Sequence, residues 1–401
     1  MKKTLVLTTI LITMMGLLLT AGCGKEEEEE VAEAPKEPIL IGLLSDLSGG
    51  TADVGVPYAE GVKAAGEYIN ANGGIYGRPV ELLQVDYAYN VQQALAAYKK
   101  FKNQGIVALQ GWGTGDTEAL TQFVAKDEIP TFSASYSAHL TDPKIAPYNF
   151  FTATDYSTQA RAGLKYIMDS WTGEVAPRLG LVYPDHPYGL SPIKAIKEYA
   201  QELGFEMVGE EIVGLSAMDA ATQLLSLQKK EPDFVWVGGT TQSTAVVMKD
   251  AQKLGMDVVF LTNIWGADEN IFKLAGDAAD GHLSLQTSVV YGQDVPGMEV
   301  IEELTDGEPK VVHYIRGFVS MLTMAEGLSM AAAQGELTGP NIKAALETMR
   351  DYDPMGLAPP ISFFPDDHRP NMTAFIFRLQ DGDMVFQTAQ ELPRREEWLG
   401  I

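Results

Sequence analysis

The run ILIGLLSD, residues 39–46, decides the fold. It is apolar without interruption until Ser45 and Asp46, where turn chemistry begins. Unbroken apolarity marks a strand covered on both faces, as the strands of a parallel sheet are. From Pro57 to Ala71 the period becomes helical, with Ala59, Val62, Ala65 and Ile69 on one stripe, and Asn72-Gly73-Gly74 ends the segment. The alternation then repeats as strand 80–86, helix 92–103, strand 106–110, helix 117–126 and strand 129–133. Strands separated by helices of this length imply right-handed crossovers and a parallel sheet.

A second round supplies the strands LGLVYP (179–184), EMVGEEIV (206–213), FVWVGG (234–239) and VVFLTN (258–263), with helical runs ending in Gly204 and Gly255. The fold class is therefore α/β, with two lobes of similar size. Between Val311 and Ala333, the residues Tyr314, Phe318, Met321, Leu322, Ala325 and Leu328 recur at helical spacing, and core packing explains them better than a methionine-rich cofactor box does. After Pro354 the pattern turns antiparallel: ISFF (361–364), then TAFIFRLQ (373–380) and MVFQTA (384–389) around the hairpin turn Asp381-Gly382-Asp383.

Ahead of this body lie Lys2 and Lys3, an uncharged run from Thr4 to Leu19, and Ala21-Gly22, the order of a secretory signal peptide over 1–22. The run is shorter than the roughly 20 apolar residues that a transmembrane helix needs. Thr20-Ala21-Gly22-Cys23 resembles a bacterial lipobox, which makes Cys23, the sole cysteine, the expected lipid anchor. The acidic stretch up to residue 38 reads as a solvated tether. Loss of Lys2 and Lys3 with the leader moves the formal charge from −25 to −27. A chain this acidic offers no basic face for nucleic acid. With its cysteine acylated it forms no disulfide, so stability rests on its cores.

In parallel α/β sheets, ligands bind beyond the carboxyl ends of strands, where helix N-termini present free N–H groups. Those loops are SDLSGGTADVG (45–55), GWGTGDTEAL (111–120) and SASYSAHLTD (133–142) in the first round, and PDHPYGLS (184–191), GGTTQSTA (238–245) and NIWGADEN (263–270) in the second. Glycines, small hydroxyl residues and the rings of Trp112, Tyr136, Tyr188 and Trp265 suit a pocket for a small polar molecule with aromatic walls. Asp116, beside Thr117, reads as a helix cap or as a carboxylate facing a cationic ligand group. The five histidines are scattered without metal spacing, and Ser133, Ser135 and Ser137 lack a base partner. HEXXH, paired CxxC, P-loop and GxSxG signatures are missing from the sequence, and Gly-Trp-Gly-Thr-Gly does not fit GxGxxG, so no cofactor is expected.

IGLLSDLSGGTADVG (41–55), EGVKAAGEYINANGGIYGRPVELLQVD (60–86) and GWGTGDTEAL together resemble the extracytoplasmic substrate-binding proteins of ABC transporters, in the leucine/isoleucine/valine-binding group, over about residues 39–390. The resemblance implies the type I periplasmic binding protein fold: two Rossmann-like lobes with central parallel sheets, 39–154 plus 289–355 and 155–288 plus 356–401, joined by three hinge crossings near Thr154-Asp155, Thr287-Ser288 and Met355-Gly356. It also implies a non-enzymatic, monomeric, lipid-tethered receptor outside the cytoplasm, whose partners are a small-molecule ligand, a membrane permease and its ATPases.

Position by position, the resemblance puts Ala134, next to Ser135, where a backbone carbonyl receives the ligand ammonium, and Tyr188 where the cleft tyrosine stands. Gly115, with Thr114 and Thr117 close by, takes the place of a hydroxyl that meets the ligand carboxylate. Tyr136 replaces a threonine near the ammonium, and Thr240 replaces an aromatic. Ile264, beside Trp265, replaces the acid that pairs with the ammonium. A buried ammonium without a counter-charge costs several kcal/mol. Either Asp116 replaces the missing acid from the other lobe, or the ligand is not an aliphatic α-amino acid; the expected ligand is of amino-acid or amide type, a branched-chain amino acid or a relative with more aromatic contact, with Trp112 among the walls. The alternatives are a signalling receptor subunit, which would share the lobes, and an envelope amide hydrolase using Asp116 or His186 as base.

Overall fold

A computed structural model of the chain describes residues 37–401; the leader, Cys23 and most of the tether lie outside the described residues. The chain runs β1 (Ile39–Ser45), α1 (Ala52–Ala71), β2 (Val80–Asp86), α2 (Val91–Gln104), β3 (Ala108–Gln110), α3 (Thr114–Asp127), β4 (Thr131–Phe132) and β5 (Asn149–Phe150). It continues through α4 (Tyr156–Ser170), β6 (Arg178–Tyr183), α5 (Pro187–Leu190), α6 (Ile193–Leu203), β7 (Glu206–Ile212), α7 (Ala221–Gln228), β8 (Phe234–Val237), α8 (Thr241–Lys253), β9 (Val259–Thr262), α9 (Ile271–Ala275) and β10 (Leu283–Gln286). Last come α10 (Pro296–Leu304), α11 (Val312–Gln334), α12 (Gly339–Leu346), β11 (Thr373–Gln380) and β12 (Asp383–Glu391).

The strands form a five-stranded sheet in the order β2-β1-β3-β4-β5 and a seven-stranded sheet in the order β12-β11-β10-β9-β8-β6-β7. β1 is flanked on both sides by parallel neighbours, β2 and β3, and Ile39, Ile41, Leu43 and Leu44 are buried, as its unbroken apolar run requires. The second sheet is parallel from β7 to β10, and the β11–β12 hairpin closes it by antiparallel pairing with β10.

The route between sheets sets the geometry of the cleft. After β5 the chain passes to the second sheet, and after β10 it returns with α10, α11 and α12, whose Met298, Ile315, Phe318 and Leu346 join the core of the first sheet. It then crosses back to β11. α11 lies against α1 so closely that a methyl group at Gly61 would come within 1.9 Å of the Tyr314 carbonyl oxygen, and one at Gly317 within 2.0 Å of the Tyr58 carbonyl oxygen. Both obstacles are backbone, which cannot rotate away. Gly317→Ala is expected to destabilise the protein by about 2–3 kcal/mol, the upper range for overpacking, read as a lowered urea midpoint. A loss under about 0.5 kcal/mol, the level of an ordinary surface change, would show that the helices separate freely.

Three readings of the sequence change. α1 starts at Ala52, so Pro57 lies inside it. LSLQ (283–286), too short to stand out, is strand β10. ISFF is not a sheet strand: it makes only isolated bridges, Ile361 with Tyr352 and Phe364 with Asp367. Pro359, Pro360 and Pro365 flank it, and proline has no N–H to extend a ladder. Its Ile361 and Phe363 instead anchor the first core.

Candidate ligand pocket between the sheets

The loop after β1 is organised by Asp46, a fully buried carboxylate. Its oxygens accept from the Gly49 N–H at 2.6 Å, the Thr51 N–H at 2.8 Å and the Thr51 hydroxyl at 2.7 Å. The same hydroxyl accepts from Trp112 Nε1 at 2.9 Å. A charge buried in β1's loop thus fixes an indole on the β3–α3 loop.

The next loop is equally tight. Gly113 caps α3, and a methyl group there would meet Tyr89 at 2.4 Å and Asp116 at 2.5 Å, so any larger residue would have to push both side chains aside. Asp116, three residues into the cap, accepts from the Gly113 N–H at 3.2 Å and from the Tyr87 hydroxyl at 2.7 Å. Burial pushes its carboxyl up to about 7 against those hydrogen bonds. Tyr89 is presented by a left-handed pair, Ala88 at φ 50° and Tyr89 at φ 56°.

On the second sheet's side, the Tyr188 hydroxyl donates to the Gly239 carbonyl at 2.8 Å and accepts from Asn263 Nδ2. Trp265 donates Nε1–H to the Tyr156 hydroxyl at 2.9 Å. Its ring stacks on Tyr136, with centroids 5.5 Å apart and planes 9° apart, and the Arg316 guanidinium lies 4.5 Å from its centroid. Arg316 is held by the Ile264 carbonyl at 2.8 Å, Gln286 Oε1 at 3.1 Å and the imidazole of His313.

These groups surround a small pocket. Thr51, Val54, Tyr89, Trp112, Gly113, Thr114 and Ala134 line it from one side; Tyr156, Tyr188, Thr240 and Trp265 line it from the other. The two walls touch around it. The Trp112 and Trp265 rings meet edge-on at 5.1 Å, Tyr89 stacks on His186 at 5.2 Å, and the Gln242 N–H at the start of α8 donates to Asp53 Oδ2 of α1 at 2.9 Å.

Of the residues singled out from sequence, Trp112, Thr114, Ala134, Tyr188, Thr240 and Trp265 come together here. The others do not line the cavity. Asp116 is tied to Tyr87 and Gly113, Ser135 shares a 2.7 Å hydrogen bond with Thr114, Tyr136 backs Trp265, and Ile264 offers its carbonyl to Arg316. Gly115 faces Val91 and His186. Thr51, Val54 and Gly113 sit in loops already recognised as ligand-facing, without being distinguished there. Tyr89 lies beyond the carboxyl end of β2, a loop that the same rule would have included, whereas Tyr156 opens α4 where the chain first crosses between sheets and gave no such signal. Among the described residues, no group of three or more His, Cys, Asp or Glu could hold a metal, and no helix is long and apolar enough to cross a membrane.

A family profile described as periplasmic binding protein matches residues 38–383. The Leu/Ile/Val-binding protein of Escherichia coli K12 is 26% identical over 275 residues, 68% of this chain and 73% of that protein. An ABC transporter substrate-binding protein from Aeropyrum pernix superposes with a TM-score of 0.85 at 32% identity, covering 91% of this chain and 98% of that one. A branched-chain amino acid ABC transporter protein from Thermus thermophilus with bound valine superposes with a TM-score of 0.84 at 23% identity, covering 90% and 97%.

Proposed function

This chain belongs to the periplasmic binding protein family, and from that premise we propose that it is the solute receptor of an ABC importer, holding a small ligand of amino-acid or amide type between its lobes and delivering it to a permease with its ATPases. The observation that carries the proposal is the shared lining of the cavity, with Trp112 and Tyr89 in one wall and Tyr188 and Trp265 in the other. A guest that contacts both walls stabilises the closed arrangement by its differential affinity for it. The proposed lobes are 39–154 plus 289–355 and 155–288 plus 356–401, although Leu357, Ile361 and Phe363, just past the last boundary, still pack in the first core. Near the third crossing, Met355 and Gly356 take φ values of 56° and 74°, a sharp local bend. The family's place is extracytoplasmic. The lipobox-like segment supports acylation of Cys23, and the acidic tether would hold a monomeric body clear of the bilayer.

The receptor is not an enzyme in this reading. Asp116 is engaged by Tyr87 and Gly113, and His186 accepts the Tyr188 N–H at 3.3 Å while stacking on Tyr89, so neither candidate base is aimed at the cavity.

Closure can be tested through the Asp53–Gln242 contact. Removing it with Asp53→Ala takes away about 1 kcal/mol that only the closed form enjoys. Small-angle scattering is expected to show a larger radius of gyration for the variant than for the unaltered chain, and ligand affinity is expected to fall about fivefold. Identical scattering curves for the two proteins, with and without solute, would rule out closure about this contact.

A further inference from the structure

We propose that the ligand is a small organic ammonium ion that carries no carboxylate, held face-on by the aromatic walls of the interlobe cavity; this rests on that cavity being the ligand site. The first observation concerns the anion-binding positions. A ligand carboxylate entering an α/β cleft is received by helix N-termini, and at two of those beside this cavity, α3 and α8, an acid of the chain is already hydrogen-bonded. Asp116 accepts the Gly113 N–H at the start of α3, and Asp53 accepts the Gln242 N–H at the start of α8. A second carboxylate at either end would face a like charge with little water between them.

The second observation is the lining. Tyr89, Trp112, Tyr156, Tyr188 and Trp265 supply rings, and no charged side chain reaches the surface of the cavity. Aromatic faces attract organic cations, most strongly when desolvated. The Ala134 carbonyl adds an acceptor whose one contact from a side chain is a long 3.4 Å approach by the Tyr156 hydroxyl. Behind the rings the charge is predominantly negative. Asp46 is coupled to Trp112 through Thr51, Asp116 to Tyr87, and Asp53 closes the side near Thr240. Arg316, whose guanidinium lies against the Trp265 ring, is spent on the Ile264 carbonyl, Gln286 and His313, with Asp268 and Glu269 next to it. The position of the family's ammonium-pairing acid is occupied by Ile264, so the counter-charge comes from these surrounding acids and the π faces.

The test is calorimetry on the full chain with matched probes. Choline is compared with its uncharged carbon isostere 3,3-dimethylbutanol, and valinamide with valine. Choline and valinamide are expected to bind, with the isostere and valine each at least about 30-fold weaker. Choline affinity is expected to fall as pH drops from 8 to 5.5, because a cation favours ionised Asp116, whose carboxyl burial holds near 7. Tyr87, Tyr89 and Asp46 face that carboxyl; His186 lies against Gly115, the residue before Asp116, and protonation of His186 would add repulsion of the same sign. Asp116→Asn is expected to weaken choline and strengthen valine; Asp53→Asn, at the other helix, serves as the second variant should the first fail to fold. Valine binding as tightly as valinamide, with closure, would overturn the cation assignment while leaving the receptor reading intact. An isostere as tight as choline, or a pH-independent affinity, would also overturn it. Silence of every probe together with an unchanging scattering curve would remove both readings.

Discussion

Truncating Trp265 to alanine is expected to lower affinity for the ligand by two orders of magnitude or more and to abolish ligand-driven closure. The indole lies where both walls meet: edge-on to Trp112 at 5.1 Å and to Tyr58 at 5.9 Å, stacked on Tyr136, and hydrogen-bonded to Tyr156. Aromatic residues packed at the centre of a desolvated interface carry about 2–4 kcal/mol or more each. Loss of the ring also leaves the guanidinium of Arg316 without its aromatic cover and opens a void in the core that continues across the cleft. Folding stability should therefore fall too, by about 3–5 kcal/mol. Calorimetry on Trp265→Ala and Trp265→Phe separates the effects, because phenylalanine restores much of the volume without the Nε1–H. Affinity of Trp265→Ala within a few fold of the unaltered protein would refute the pocket.

The second large effect is at Arg316. It is buried, with Asp268 and Glu269 nearby, and burial has already raised both carboxyls above their usual range, that of Asp268 to about 7. Arg316→Leu removes the positive charge that offsets them and the donors to the Ile264 carbonyl and Gln286. Breaking a buried charge cluster in this way costs about 3–5 kcal/mol. The deficit should depend on pH with a definite sign. A carboxyl whose folded pKa is raised binds protons in the native state, so its unfavourable contribution is absent at low pH and grows as pH rises through the folded value. Urea unfolding is thus expected to show a larger deficit for Arg316→Leu at pH 8 than at pH 5. Equal deficits at the two values would mean that the acids are neutralised by something other than Arg316.

Much of this architecture is legible along the chain because its signal is local. β1 reads as a doubly covered strand from its own eight residues, and the stripe in α11 places Tyr314, Phe318 and Met321 inward without knowledge of what they meet. The loops beyond the strands likewise announce themselves by glycine, hydroxyl and aromatic content, which is why Trp112, Tyr188 and Trp265 stand out. Asp116 shows where locality ends. Its position near the start of α3 reads as a cap, and it is one, but the burial that raises its carboxyl and the Tyr87 hydroxyl, 29 residues away, that opposes the rise come from outside its own segment. ISFF shows the converse: an apolar, strand-like run excluded from a ladder by prolines on either side.

The sequence alone determined that strands and helices alternate in two rounds, that the body is acidic, and that the ligand-facing loops carry rings and hydroxyls, because periodicity and composition are properties of neighbouring residues. Only the tertiary structure decided which rings share a wall, that Tyr89 and Tyr156 join them, that α11 closes on α1 through two glycines, and that Asp116 and Asp53 bond to the starts of α3 and α8. Those facts depend on contacts between residues up to 259 positions apart, such as Tyr58 with Gly317. Burial of apolar surface brings such segments together without leaving a mark in either segment by itself.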